Sequence, residues 1–331
     1  MNKSLYEDSI VIDAACPLAD EKGKYKLWMD GGVTAICPTV AMEENTIKTK
    51  QKMSEWIQEI EANEALLLHV KSVEDIYKAK AENKLGIIMH FQNTKPIGQD
   101  ITLIPEFHKM GLRMVQLCYN VKNYVGYGCT EKVDKGLSSF GEKAIKEMER
   151  VGIIVDVTHT GYRTTMEAIE VLKKPPVCSH SNVYKLCESD RNLKDDQIKA
   201  IAKKGGVIGL NGFPPFVAKK DRPTVEDLLD HADYMIKLVG IDHIALGIDY
   251  WQGMAGIASL PKAWIIYLYL VLQGRWSPKA YPPPPWNQPV GIETPTKLSN
   301  IVEPMLKRGY SHENIKKVLG ENWLRVFKEV W

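Results

Sequence analysis

The sequence predicts an α/β protein built as a (β/α)8 TIM-type barrel, and three observations carry that prediction. Eight apolar, often β-branched runs recur along the 331 residues. Between most of them lie charged segments whose Leu, Ile, Met and Ala fall near one helical face. The runs are also nearly continuous in hydrophobicity, as strands of a parallel sheet covered on both faces must be. Eight such units in alternation close into a barrel.

In chain order the runs are IVID (10–13), GVTAIC (32–37), LGIIMHF (85–91), RMVQLC (113–118), GIIVDV (152–157), PPVCS (175–179), GVIGL (206–210) and HIALGI (243–248). The first unit is irregular, with a helix at about 42–63, then LLLHV at 66–70, then a second helix. Later helices read as FGEKAIKEMERVG, TTMEAIEVLKK, DDQIKAIAKKGG and TVEDLLDHADYMIKLVG, with Ser, Thr or Asp at their starts and Gly at several ends. After Asp249 an excursion rich in Trp, Tyr and Pro runs to about 290; its YPPPPW (281–286) is a stiff loop expected to cross the barrel mouth. The expected organisation is one barrel domain, 1–331, with an insertion at about 250–290 and closing helices within 292–329.

Composition narrows the function. Lys plus Arg exceed Asp plus Glu by two (43 against 41), which predicts small-molecule chemistry and no nucleic-acid or membrane partner. The segment AWIIYLYLVL (263–272) is about half of the roughly 20 residues a bilayer span needs, and reads as a buried or interfacial helix. The start of the chain lacks the pattern of a signal peptide, and the six cysteines form no C-x-x-C pair, so a reducing cytoplasm is expected.

In a barrel of this kind chemistry sits at the C-terminal strand ends. Those ends carry Asp13, Gln92, Tyr119 with Asn120, Asp156 with His159, His180, Asn211 and Asp249. A lone strand-end histidine is more often structural, but His159 and His180 end neighbouring strands and point to one mouth, which favours a metal-ligand pair. Arg191, in SDRNLKDD, suits a substrate carboxylate, against the bland alternative of a surface pair with Asp190 or Asp195. Asp249 suits a metal ligand or a proton shuttle. Asn211, Asn123 and Tyr250 are further candidates for substrate binding.

Over nearly its whole length the chain resembles the membrane (renal) dipeptidase family of barrel metallopeptidases. The matching stretches are DVTHTG, CSHSN, DRNLKDDQIKAIAKKGGVIGLN, GIDHIALGID, LGENWLRVF and GLSSFGEKAIKEMERVGIIVDV. The resemblance implies metal-binding histidines at His159 and His180, a carboxylate-binding arginine at Arg191 and a proton-shuttling aspartate at Asp249. It also marks departures. The family's first-strand His-x-Asp falls on Ala15 and Pro17, its metal-bridging glutamate on Gln92, and its oxyanion-binding histidine on Tyr119.

A neutral amide cannot bridge two dications as a carboxylate does. The expectation is therefore at most one Zn2+, on His159 and His180 with Gln92 as a third donor, and possible loss of metal altogether. The leading reading is a hydrolase of a dipeptide or small amide with a free carboxylate, with Asp249 and Tyr119 catalytic. A lyase or isomerase on a small carboxylate substrate is the alternative, and a noncatalytic binding protein a third. The apolar 263–272 segment and the resemblance together suggest a homodimer.

Overall fold

The computed structural model describes residues 2–331. Its strands are β1 (Ile12–Asp13), β2 (Ala35–Ile36), β3 (Thr39–Ala41), β4 (Leu67–His69), β5 (Leu85–Ile87), β6 (Met89–Phe91), β7 (Leu112–Gln116), β8 (Ile154–Asp156), β9 (Val177–Cys178), β10 (Val207–Leu210) and β11 (Ile244–Leu246). Every pairing between them is parallel. One predicted run, 85–91, is broken in the middle, β5 and β6 flanking Ile88, and the second run is followed by a further strand, β3, beyond Cys37 and Pro38, where proline removes a ladder donor. The ladders run β1-β2-β5-β4 and β3-β6-β7-β8-β9-β10-β11, and the consecutive pairs β2/β3 and β5/β6 carry the chain from one sheet to the other.

The ring is drawn together where β1 meets β11. Ala14 N donates to Leu246 O at 3.2 Å and Asp249 N donates to Ala15 O at 3.0 Å. Beside them Asp13, fully buried, accepts from Ile248 N and from Trp28 Nε1, both at 2.8 Å. A buried carboxylate needs such donors, and here they fix the end of the last strand against the first. All eight predicted runs form strand; LLLHV adds a further one, β4, paired through Leu67↔Leu85 at the entry edge of β5.

Helices between the strands start where the sequence supplies caps. Asn45 Oδ1 accepts from Lys48 N ahead of the Thr46–Ala62 helix, and Ser138 Oγ accepts from Gly141 N ahead of Ser139–Val151. Thr224 and Asp227 cap reciprocally at Val225–Val239. Two glycines decide how closely the strands beneath the site approach. A Cβ on Gly209 would lie 2.0 Å from Ser179 O, and one on Gly247 1.8 Å from the same atom.

The excursion after Asp249 forms the Leu260–Leu272 helix and an aromatic cluster over the mouth. Trp251 meets Trp276 at 5.2 Å, and Trp276 stacks on Tyr281 at 4.3 Å. The helix buries Ala263, Tyr267 and Leu270 and leaves Ile265, Leu268 and Leu272 exposed. Among the described residues no helix is long and apolar enough to cross a membrane. The closing region consists of shorter segments than two continuous helices, ending in Asn322–Val330, whose Trp323 Nε1 donates to Leu246 O.

Candidate active site

His159 and His180 meet at the mouth, their Nε2 atoms 2.9 Å apart. Their tautomers follow from their other partners. Asp156, at the end of β8, is fully buried yet held down to about 2: burial pushes it up, but His90, His180 and Ser179 outweigh that. As an anion it only accepts, so Ser179 Oγ donates to Asp156 Oδ2 (2.5 Å) and must accept from His180 Nδ1 (2.8 Å). On the other ring, His159 Nδ1 donates to Asn120 Oδ1 at 2.7 Å, because the Asn120 amide nitrogen is engaged with Arg275 O. Both neutral imidazoles therefore present bare Nε2 lone pairs to each other. Burial, and then the Arg191 charge, push both rings well below the usual histidine range, so a shared proton is disfavoured. The pair suits a bound cation, with the outer partners fixing each ring as they do around metal ligands.

Asp249 lies at the same level, beyond β11. Burial pushes its carboxyl up to about 7, against the pull of Arg191 and with a push from Asp13. Tyr119 stacks on His159, ring centroids 4.4 Å apart, and its phenol, raised to about 12 chiefly by burial, keeps its proton. Asn120, His159 and Asp249 all hold left-handed backbone (φ 59°, 64° and 63°), unfavourable for residues with a Cβ and frequent at functional sites. Gln92, Tyr119, His159, His180 and Asp249 line one cavity of about 520 Å3, walled by Phe213, Trp251, Ile266, Leu270 and Trp276.

Three predicted substrate residues stand elsewhere or behind this cavity. Arg191 is buried, its Nε donating to Tyr281 Oη (3.0 Å) and its Nη2 to His180 O (3.3 Å). It lines a separate cavity of about 170 Å3, with Tyr281 between it and the larger one. It is not the surface pair that SDRNLKDD also allowed. Asn123 is spent on the loop after β7, donating to Asn93 Oδ1, Thr94 Oγ1 and Leu117 O, so it does not line the cavity. Tyr250 points its hydroxyl to Ile292 O (2.8 Å) and is fully buried; its neighbour Trp251 takes the wall position. Asn211 is placed beside the site, its Nδ2 3.4 Å from His180 O, and it pulls the Asp249 carboxyl down.

His90, fully buried on β6 and not among the predicted site residues, brings its Nε2 to 3.4 Å from Asp156 Oδ2. Its position two residues before Gln92 on the same run was the available signal. Tyr281 and Trp276 carried none beyond belonging to an aromatic-rich excursion.

Among the described residues no group of three or more His, Cys, Asp and Glu is placed to hold a metal ion. Ala15 and Pro17 carry no donor; Ala15 is fully buried and Pro17 opens a short 3-10 turn, Pro17–Asp20. The residues present therefore fit one cation at the two imidazoles, with the Gln92 amide as a neutral neighbour, and do not fit a dinuclear centre.

The parallel α/β barrel carries its two converging histidines at the C-terminal ends of the strands, the place where barrel enzymes build their active sites. The sequence model of the membrane dipeptidase family (peptidase family M19) matches residues 25–264 and 286–331, and the chain belongs to that family. An uncharacterised dipeptidase of Schizosaccharomyces pombe is 28% identical over 80% of this chain and 58% of its own length. The dipeptidase tcpJ of Claviceps purpurea is 29% identical over 78% of this chain and 54% of its own. The chain thus spans little more than half the length of these relatives. A crystal structure of an amidohydrolase from Pseudomonas aeruginosa superposes with a TM-score of 0.88 at 35% identity, covering 100% of this chain and 99% of that one. A metallopeptidase from Rhodobacter sphaeroides, solved with a phosphinate mimic of L-Ala-D-Ala, shares the fold at 19% identity and a TM-score of 0.80, over 98% of this chain and 100% of its own.

Proposed function

We propose that this chain hydrolyses the amide bond of a dipeptide or small amide bearing a free carboxylate, using at most one metal ion. The observation that carries the reading is the pair of bare Nε2 atoms at 2.9 Å, set beside Asp249 in a walled cavity. One Zn2+ held by His159 and His180, with Gln92 as a neutral third donor, would supply Lewis acidity toward the carbonyl or water. Asp249, with a carboxyl near 7, exists in both forms at neutral pH and moves the proton from water to the leaving amine. Tyr119, which keeps its proton, donates to the developing oxyanion.

Arg191 receives the substrate carboxylate once Tyr281, whose Oη accepts from its Nε in the free protein and which lines the larger cavity, moves aside. Asn211 steadies Asp249, and the aromatic wall excludes water. The site belongs to one barrel domain, 1–331. Two further readings go with this one. The six free cysteines, five of them buried, support a reducing, cytoplasmic setting. The exposed apolar side of the Leu260–Leu272 helix supports a second copy of the chain as partner, which sedimentation would test.

The test of the function is release of free amine from dipeptides and N-acyl amino acids by protein of measured metal content. Asp249→Asn should lower the rate by roughly 10²–10⁴-fold. Turnover unaffected by that change would remove Asp249 from the chemistry, and no amine release from any substrate would remove hydrolysis.

A further inference from the structure

A run of hydrogen bonds leads from the arginine to the histidine pair through Tyr281. Its Oη accepts from Arg191 Nε at 3.0 Å and donates to Asn120 Oδ1 at 3.1 Å. The same Asn120 oxygen accepts from His159 Nδ1 at 2.7 Å, while the Asn120 amide nitrogen is anchored on Arg275 O at 3.0 Å, which fixes the way the amide faces. All four side chains are buried, Arg191 and Tyr281 each 3% exposed. Burial pushes the Tyr281 phenol well above its ordinary range, so the hydroxyl keeps the proton it donates. Tyr281 and Arg275 lie between the two stretches that the family's sequence model matches, so this relay is no part of the matched pattern.

The relative strengths of these bonds decide what a ligand does to them. A hydroxyl whose oxygen accepts from a cation is the stronger donor for it, so in the free protein Arg191 sharpens the pull of Tyr281 on Asn120 Oδ1. His159 Nδ1–H competes with that hydroxyl for one carbonyl oxygen. A carboxylate bonds a guanidinium more strongly than a neutral phenol does, and with two oxygens, so it takes Arg191 Nε and Tyr281 gives it up. A neutral carboxamide offers Arg191 no more than the phenol and leaves Tyr281 in place. Once the hydroxyl has withdrawn, Asn120 Oδ1 serves His159 alone. A stronger acceptor on Nδ1 makes the opposite ring nitrogen, Nε2, more basic and a better ligand for a cation.

We propose that Tyr281 is a positioning residue that couples the two halves of the site: a carboxylate arriving on Arg191 displaces its hydroxyl, and the Asn120 oxygen it releases tightens the hold of His159 on a cation. Carboxylate and cation then strengthen each other's binding by the same factor. The proposal rests on the reading of His159 and His180 as a cation site and of Arg191 as the carboxylate site. While the hydroxyl stands on Arg191, neither ligand has its full affinity.

The test is calorimetric titration of the full chain, freed of metal, with Zn2+ in the presence and absence of propanoate. A hydroxyl that merely supports the site would weaken Zn2+ binding when removed; the relay predicts the reverse. Tyr281→Phe, which keeps a ring stacked on Trp276, should bind Zn2+ about fivefold more tightly than wild type, and propanoate should add less to it than to wild type. Propanamide should change neither protein. Equal or weaker Zn2+ binding by folded Tyr281→Phe overturns the proposal, as does an equal gain from propanoate in both proteins, which direct ligation of the metal would give. A second readout needs no variant: in metal-free wild type with isotope-labelled histidine, propanoate should move the His159 Nδ1 proton resonance downfield, the mark of a stronger hydrogen bond, and propanamide should not. No movement overturns the proposal even where Tyr281→Phe fails to fold. A wild type that takes up no Zn2+ removes the one-metal reading and the coupling with it, whereas Zn2+ uptake indifferent to Tyr281 removes the coupling alone.

Discussion

At the residue scale, single side chains carry charge states that their neighbours dictate, and these states can be measured. In the proposed mechanism Asp249 acts as a base when it is ionised, and burial raises its carboxyl to about 7, so kcat/KM should rise as pH increases through about 7. Asp249→Asn should flatten that limb; a limb that survives the substitution belongs to another group. Glu44 shows the opposite shift. Burial pushes it up, but donors at Met42 N and Glu43 N and the Lys52 ammonium hold it near 2. A carboxyl lowered by folding stabilises the protein above its unfolded value of 4.5 and loses that contribution as pH falls toward about 2. Glu44→Gln should therefore cost about 1–2 kcal/mol at neutral pH, with the gap to wild type closing over that acidic window in urea titrations. For Arg191, one guanidinium reaches both Tyr281 Oη and His180 O. A lysine ammonium cannot reproduce that fork, and Arg191→Lys should raise KM about tenfold or more.

At the element scale the site depends on how tightly β9, β10 and β11 approach. Gly247 and Gly209 let Ser179 O come within a distance that no Cβ permits, and Ser179 orients His180. Gly247→Ala should cost on the order of 3 kcal/mol or more and weaken metal retention, measured as melting temperature and metal content of the same sample. The strands themselves were legible because alternating apolar runs and capped amphipathic segments are local signals, and every predicted run forms strand. Two strands fell outside that list: β3, just past the end of the second run, and β4, a short piece whose pairing with β5 depends on the tertiary setting. His159, His180 and Asp249 were equally legible, since each closes an apolar run. Asn123 and Tyr250 were misplaced because sequence adjacency to a strand end does not give direction: one side chain turns back into its loop, the other into the core. The interposition of Tyr281 before Arg191 joins residues 90 positions apart, and no local pattern encodes it.

At the scale of the whole molecule, the proposed site has the imidazole pair and the aspartate that the family resemblance implies, whereas Ala15, Pro17 and Gln92 carry no ionisable donor at the positions that resemblance assigns to metal ligands. Gln92→Glu alone should raise metal occupancy at His159 and His180, because an anion replaces a neutral amide beside a cation. A second ion should require Ala15→His and Pro17→Asp as well, provided the buried turn after β1 accepts the larger side chains. The measurement that bears most directly on the account is the metal content of the wild-type chain, purified without added metal and then titrated with Zn2+. The account predicts saturation at no more than one tightly held ion per chain, lost on His159→Ala or His180→Ala. Two tightly bound ions per wild-type chain would contradict it, and would mean that other residues supply the donors that Ala15, Pro17 and Gln92 lack.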